Sequence, residues 1–354
     1  FNTYALDAVG PGAPGRFVDA AVAEIGLAAA VLTDAPPLRT VFFGGGTPTA
    51  LRADQLITIL DAARSQFRVD DDLEVTVESN PDGLHDGQLA QLRDAGVNRV
   101  SFGLQSIRTR VLRVLDRTHD PEQALRAVDE AHRVGFDHVS LDLIYGTPGE
   151  RDEDWAATLD AAIGTGVDHI SAYALAIEPS TKLAARVRRG TLPRPDDDLA
   201  ARRYQVAEER LTRAGFDWYE LSNWSRSIEG RCRHNLLYWR NQHWWGIGPG
   251  AHSHLAGVRW WNRDAPDEWA TPLLGDGGSC AHVGGHEVLD DEQREMERVL
   301  TGIRLAEGLP LTAEAATRLE LDDRVRGLAE VRDGRAVLTT SGRLLADEVV
   351  RSLV

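Results

Sequence analysis

Apolar positions along the chain follow two periods by turns. Short β-branched and aromatic runs, such as Thr40-Val41-Phe42-Phe43, read as buried strands. Between such runs, apolar residues recur at helical spacing. Ala124, Val128 and Ala131 form one stripe, with Asp120 suited to be its N-cap and Pro121 its first residue. Ala200, Tyr204, Ala207, Leu211 and Ala214 form another. The pattern predicts strands over 39–43, 73–79, 97–103, 138–145, 169–175 and 218–222, with helices in the gaps.

A repeat runs through this alternation. Gly96-Val97-Asn98-Arg99-Val100-Ser101 is echoed by Gly135-Phe136-Asp137-His138-Val139-Ser140, by Gly166-Val167-Asp168-His169-Ile170-Ser171 and, more weakly, by Gly215-Phe216-Asp217-Trp218-Tyr219. Each copy reads as a glycine ending a helix, a short loop and a strand. Helix-then-strand repetition builds an α/β fold whose parallel sheet carries helices outside. Units of this size suit a barrel or partial barrel, with a doubly wound open sheet as the alternative. The pattern changes near residue 223, where Trp224, Trp239, Trp244, Trp245, Trp260, Trp261 and Trp269 crowd together. Beyond about residue 288 it turns charged and helical around Ala336-Val337-Leu338-Thr339-Thr340, as in a small helix-plus-wing module. The expected division is therefore 1–222, 223–287 and 288–354.

Charge narrows the partners. The 354 residues carry a formal net charge of −16. That disfavours non-specific nucleic-acid binding, so docking or packing is expected of the wing-like module rather than DNA contact. Apolar stretches reach only about eight residues, too short to span a bilayer. Two cysteines, Cys232 and Cys280, support neither a disulfide framework nor, by themselves, an iron–sulfur cluster. The expected location is cytoplasmic.

The polar groups at strand ends carry the chemistry. Gly44-Gly45-Gly46-Thr47-Pro48-Thr49 strips side chains from the exit of the first strand, so its peptide groups can touch a ligand directly; a tight turn is the plainer alternative. It has no Lys and is not a Walker loop. Glu78, Gln105 and Asp142 offer acceptors for ribose hydroxyls or an ammonium group, and Arg117 suits a carboxylate. A structural Glu78–Arg117 ion pair is the competing explanation. The set describes a small zwitterionic nucleoside or a phosphate-bearing sugar.

Phe43-Gly44-Gly45-Gly46-Thr47-Pro48-Thr49, Glu78-Ser79-Asn80-Pro81, Ser101-Phe102-Gly103-Leu104-Gln105-Ser106 and Asp142-Leu143-Ile144-Tyr145-Gly146-Thr147-Pro148-Gly149 together resemble, in order, radical S-adenosylmethionine (SAM) proteins of the oxygen-independent coproporphyrinogen III oxidase-like family. The resemblance covers nearly the whole chain. It implies a partial (β/α)6 TIM-like barrel followed by a small helical, winged-helix-like domain. It also implies SAM held by Gly45, Gly46 and Thr47 at its methionine end and by Glu78 at its ribose, with Gln105, Arg117, Asp142 and Ala174 shaping the site, including that of a second SAM. Family members bind a 4Fe-4S cluster through three cysteines on the loop after the first strand, followed by Asp-Phe-Asn. This chain opens Phe1-Asn2-Thr3-Tyr4, so those cysteines are expected upstream of Phe1, and residues 1–15 are expected to be loosely held.

In Arg233-His234-Asn235-Leu236-Leu237-Tyr238-Trp239, the imidazole of His234 suits an axial iron ligand, and Tyr238 and Trp239 suit stacking on a macrocycle. A satisfied polar histidine and core tryptophans explain the same residues without haem. His234, Asn235, Tyr238 and Trp239 match the signature that separates the haem-chaperone branch of the family from the true oxidases. Tyr219-Glu220-Leu221-Ser222-Asn223-Trp224 and Gly246-Ile247-Gly248-Pro249-Gly250-Ala251-His252-Ser253 resemble that branch too. The implied function is haem binding, with His234 as the metal ligand and His243, His252 and His254 as competitors (closure over the SAM site is the alternative for His252), and delivery to acceptor haemoproteins, including transient contact with membrane-bound ones. The alternative is oxidative decarboxylation of coproporphyrinogen III in porphyrin biosynthesis.

Overall fold

The computed structural model describes residues 12–179, 181–275 and 280–354, in two compact units. The first draws on Phe1–Glu78, His85–Asn98 and Arg233–Gly302. Of the segment expected to be loosely held, residues 1–11 lie outside the described residues. Ala13 to Gly15 begin the helix Ala13–Val31, with Ala13 buried. Strands β1 (Leu38–Phe43) and β2 (Val69–Ser79) pair in parallel, Phe43 opposite Val77, and the helix Ala53–Gln66 joins them. The strand predicted from 97 starts only at Arg99, because Asn98 has another task. Its side-chain amide accepts from the Val75 N–H at 2.8 Å and donates to the Leu73 carbonyl at 2.8 Å.

The second unit holds β3 (Arg99–Gln105), β4 (His138–Tyr145) and β5 (His169–Ala174), all parallel. The four repeat glycines behave alike: Gly96, Gly135, Gly166 and Gly215 have φ of 87°, 84°, 79° and 83°, the left-handed turn that ends a helix. Asp120 caps the helix Pro121–Val134 as expected. It accepts from the Glu122 N–H, and Gln123 accepts in return from the Asp120 N–H. Ala124, Val128 and Ala131 are buried.

The fourth repeat departs from the all-parallel expectation. The run 218–222 splits into β6 (Asp217–Glu220) and a turn at Leu221 and Ser222, which leads into β7 (Asn223–Ser225). β7 lies between β5 and β6 and is antiparallel to both. At the start of β5, His169 is buried, its Nδ1 2.7 Å from Ser140 Oγ and its Nε2 2.8 Å from Tyr219 Oη.

The Trp-rich part of the first unit begins with the short helix Arg233–Trp239. It continues into an antiparallel sheet of β8 (His252–Leu255), β9 (Val258–Asn262) and β10 (Val283–Val288), in the order β10-β9-β8. Glu24 ties the helix Ala13–Val31 to this part. Fully buried, it accepts from the Gly248 N–H at 2.9 Å, Asn262 Nδ2 at 2.7 Å and Trp269 Nε1 at 2.9 Å, with His282 Nε2 at 3.7 Å.

The second unit closes with a small antiparallel sheet of β11 (Leu309–Pro310), β12 (Ala329–Arg332) and β13 (Arg335–Leu338), accompanied by the helices Ala313–Leu321, Thr340–Leu344 and Ala346–Leu353. Asp333 and Gly334 turn the hairpin with φ of 49° and 72°, as a two-residue primed turn requires. Just before β11, Leu305 bridges Glu220, and the Ala306 N–H donates to the Tyr219 carbonyl at 2.9 Å. These residues cover the outer side of β6.

Candidate functional site

At the end of β1, Gly44, Gly45 and Gly46 are exposed, and the first two have a local reason to be glycine. A Cβ at Gly44 would lie 2.3 Å from the Phe42 ring, and Gly45 has φ of 105°. The Gly45 N–H donates to Glu78 Oε2 at 3.1 Å, so the glycine loop and the acid at the end of β2 meet as expected. Behind them Gln88 Nε2 donates to the carbonyls of Thr49 and Leu51, fixing the turn that follows Thr47. Open space adjoins Gly45 and Gly46. Bare peptide groups beside a carboxylate fit the polar methionine and ribose groups of SAM.

In the second unit the strand register gathers a second group. Gly103 lies opposite Asp142, and Asp142 opposite Ser171, across β3, β4 and β5; Ala174 is opposite Tyr145. Ser101 Oγ donates to Asp142 Oδ2 at 3.1 Å, and burial raises the Asp142 pKa against the hydrogen bonds from Ser171 and Ser101. Gln105 takes φ of 59°, and its amide folds over Gly103, where a Cβ would lie 2.8 Å from Nε2. Its Oε1 is buried with no hydrogen-bond partner among the described residues, an acceptor open to a ligand or a water. Arg117 stands apart in the connection after the helix Thr109–Val114, exposed and with no ion pair among the described residues.

The helix Arg233–Trp239 is positioned by a residue that the sequence pattern does not mark. Glu74, buried on β2, accepts the N–H groups of Arg233 and His234 at 3.0 and 2.9 Å, a carboxylate at a helix N-terminus. His234 then stacks on Phe42, centroids 4.8 Å apart and planes 16° apart. Its Nδ1 lies 2.8 Å from Thr40 Oγ1 and its Nε2 2.9 Å from Tyr238 Oη. Burial pushes its pKa down to about 4, so the ring is neutral. Both ring nitrogens are thus engaged, and reaching iron would require breaking one of these bonds. Tyr238, exposed, packs edge-on against His234 at 5.0 Å and against Trp244 at 4.7 Å. Asn235 and Trp239 are half-buried on the same helix. The acidic run Asp70, Asp71 and Asp72 disguises Glu74 as part of a solvated face; its neighbours Leu73 and Val75 were the available signal.

A cluster does not fit what is present. Cys232 is buried and Cys280 exposed, and among the described residues no group of three or more His, Cys, Asp or Glu is placed to hold a metal ion. No helix among them is long and apolar enough to cross a membrane.

A radical SAM superfamily profile matches residues 8–162. Over all of this chain and 90% of its own length, the heme chaperone HemW of Mycobacterium tuberculosis is 49% identical. The Bacillus subtilis heme chaperone HemW is 32% identical over 90% of this chain and 86% of its own. Among solved structures, the coproporphyrinogen III oxidase HemN of Escherichia coli, described as a radical SAM enzyme, superposes with a TM-score of 0.82 over 97% of this chain and 83% of its own, at 23% identity. At that identity the likeness shows the fold: the α/β partial barrel with a smaller C-terminal part.

Proposed function

The chain belongs to the HemW family of radical SAM proteins, and on that premise we propose that it is a haem chaperone, binding haem and passing it to an acceptor haemoprotein. The full-length identity of 49% to a protein named for this role carries the reading. The oxidase resembles the chain in fold alone, at 23% identity. His234, Asn235, Tyr238 and Trp239 lie in the segment assigned to haem, which offers the aromatic surface a porphyrin needs.

Family membership implies SAM and a 4Fe-4S cluster. We assign SAM to Gly45, Gly46, Thr47 and Glu78, with Gln105, Asp142, Ala174 and Arg117 as further contacts. In this chain the glycine loop binds through peptide groups, Glu78 orients that loop through Gly45, and the Gln105 carbonyl offers a buried acceptor. Residues 1–222 form the SAM-binding part in this scheme, 223–287 the haem segment and 288–354 a docking or packing module. The proposed setting is the cytoplasm, with membrane-bound haemoproteins as transient acceptors and no nucleic acid.

Haemin titration followed by the Soret band, and then mixing with an apo-haemoprotein, tests the reading. Stoichiometric binding and transfer faster than from free haemin are expected. Absence of binding sinks the proposal, and conversion of coproporphyrinogen III by cluster-loaded protein would place the chain among the oxidases instead.

A further inference from the structure

Within the first unit, the Trp-rich sheet carries one continuous aromatic face. Trp244 exchanges both backbone hydrogen bonds with His254, each 3.0 Å long, so their side chains share a face, and their rings lie 5.1 Å apart. His252 is two residues from His254 on β8 and therefore on the same side. Trp261 is directly opposite His252 on β9, with ring centroids 5.9 Å apart and planes 30° apart. The Trp261 indole crosses the backbone of β10 at Gly285, where a Cβ would lie 2.4 Å from its Cζ2. Tyr238 joins the same run through Trp244.

Of the six histidines in the Trp-rich part of this unit, only some can lend a lone pair to iron. A neutral imidazole that accepts a proton on one nitrogen carries its own on the other. His243 accepts the Ala256 N–H on Nδ1 at 3.1 Å, so its Nε2 is protonated. His234 has both nitrogens engaged. His254 and His282 are buried, the first with Nδ1 at 3.1 Å from the Gln242 carbonyl and the second beside Glu24. His252 is exposed, and its ring makes no hydrogen bond among the described residues. His286 is exposed too, but it is opposite Trp260, on the other face of the sheet.

We infer that His252 is the protein ligand to haem iron, presented on the aromatic face of Tyr238, Trp244 and Trp261, and that His234 is a positioning residue that holds Tyr238 to β1. The inference rests on the haem-chaperone reading. Trp261 stacks on the imidazole, and neither ring nitrogen of His252 is hydrogen-bonded among the described residues. Iron accepts a lone pair of that imidazole without change of oxidation state.

The test is a haemin titration of the whole chain beside His252→Ala, His234→Gln and His286→Ala. The His252→Ala protein should bind at least about tenfold more weakly, a loss of about 1.4 kcal/mol, and with a displaced Soret band. Free imidazole should return the band to its wild-type position, which a purely structural loss would not allow. His234→Gln should weaken binding while keeping the imidazole-ligated spectrum, and His286→Ala should match wild type. A wild-type spectrum in His252→Ala, or its loss in His286→Ala, overturns the assignment and leaves the chaperone reading standing. Failure of the wild-type chain to bind haemin overturns both.

Discussion

Single residues show where chemistry was written openly in the chain and where it was hidden. Gly45 and Glu78 were legible because glycines at a strand exit and an acid inside an apolar run are both costly choices. Glu74, Thr40 and Phe42 were not, since their roles arise only when the helix Arg233–Trp239 arrives from far along the sequence. His169 carries a consequence for pH. Burial, aided by the charge of Arg99, pushes its pKa down to about 3 from the ordinary histidine value of 6.5. Between those values the unfolded chain binds more protons than the folded one, so this contribution to stability is lost as pH falls from about 6.5 towards about 3. His169→Gln keeps polar atoms for Ser140 and Tyr219 but does not titrate. Its melting temperature should therefore fall less than that of wild type between about pH 7 and about pH 5. Parallel melting curves for the two proteins across that range would remove the account.

At the scale of elements, local signals were most readable where one residue type alone satisfies the backbone. The four repeat glycines and the Asp120 cap mark their helix boundaries. β7 escaped because three residues give too short a pattern, and because nothing local announces that the chain reverses at Leu221 and Ser222. The helix Ala13–Val31 depends on an equally silent tie. Glu24 sits on its buried face, its pKa raised by desolvation, and three donors from residues 248–269 converge on it. Glu24→Ala leaves those donors unpaired in the interior and should cost about 3 kcal/mol. A lower denaturant midpoint with an unchanged slope is the expected result. A change within about 0.5 kcal/mol would mean that the donors find other partners.

For the molecule as a whole, alternation of helix and strand was enough to foresee an α/β partial barrel, because each unit repeats the same local instructions. The hydrophobic pattern could not reveal the antiparallel finish, in which β7 slips between β5 and β6 and leaves β6 at the margin of its sheet. That margin is covered by Leu305 and Ala306. A chain stopped after Gly302 should therefore scatter light and pellet at concentrations where the full chain stays monodisperse; an equally monodisperse short chain would show the cover to be dispensable.

The same geometry sets a schedule for synthesis. The ribosome delivers β6 roughly 85 residues before its cover, which at about 5–20 residues per second leaves several seconds with a bare hydrogen-bonding edge on every nascent chain. Quality control in the cell thus meets this protein at its most adhesive just before its last module is made.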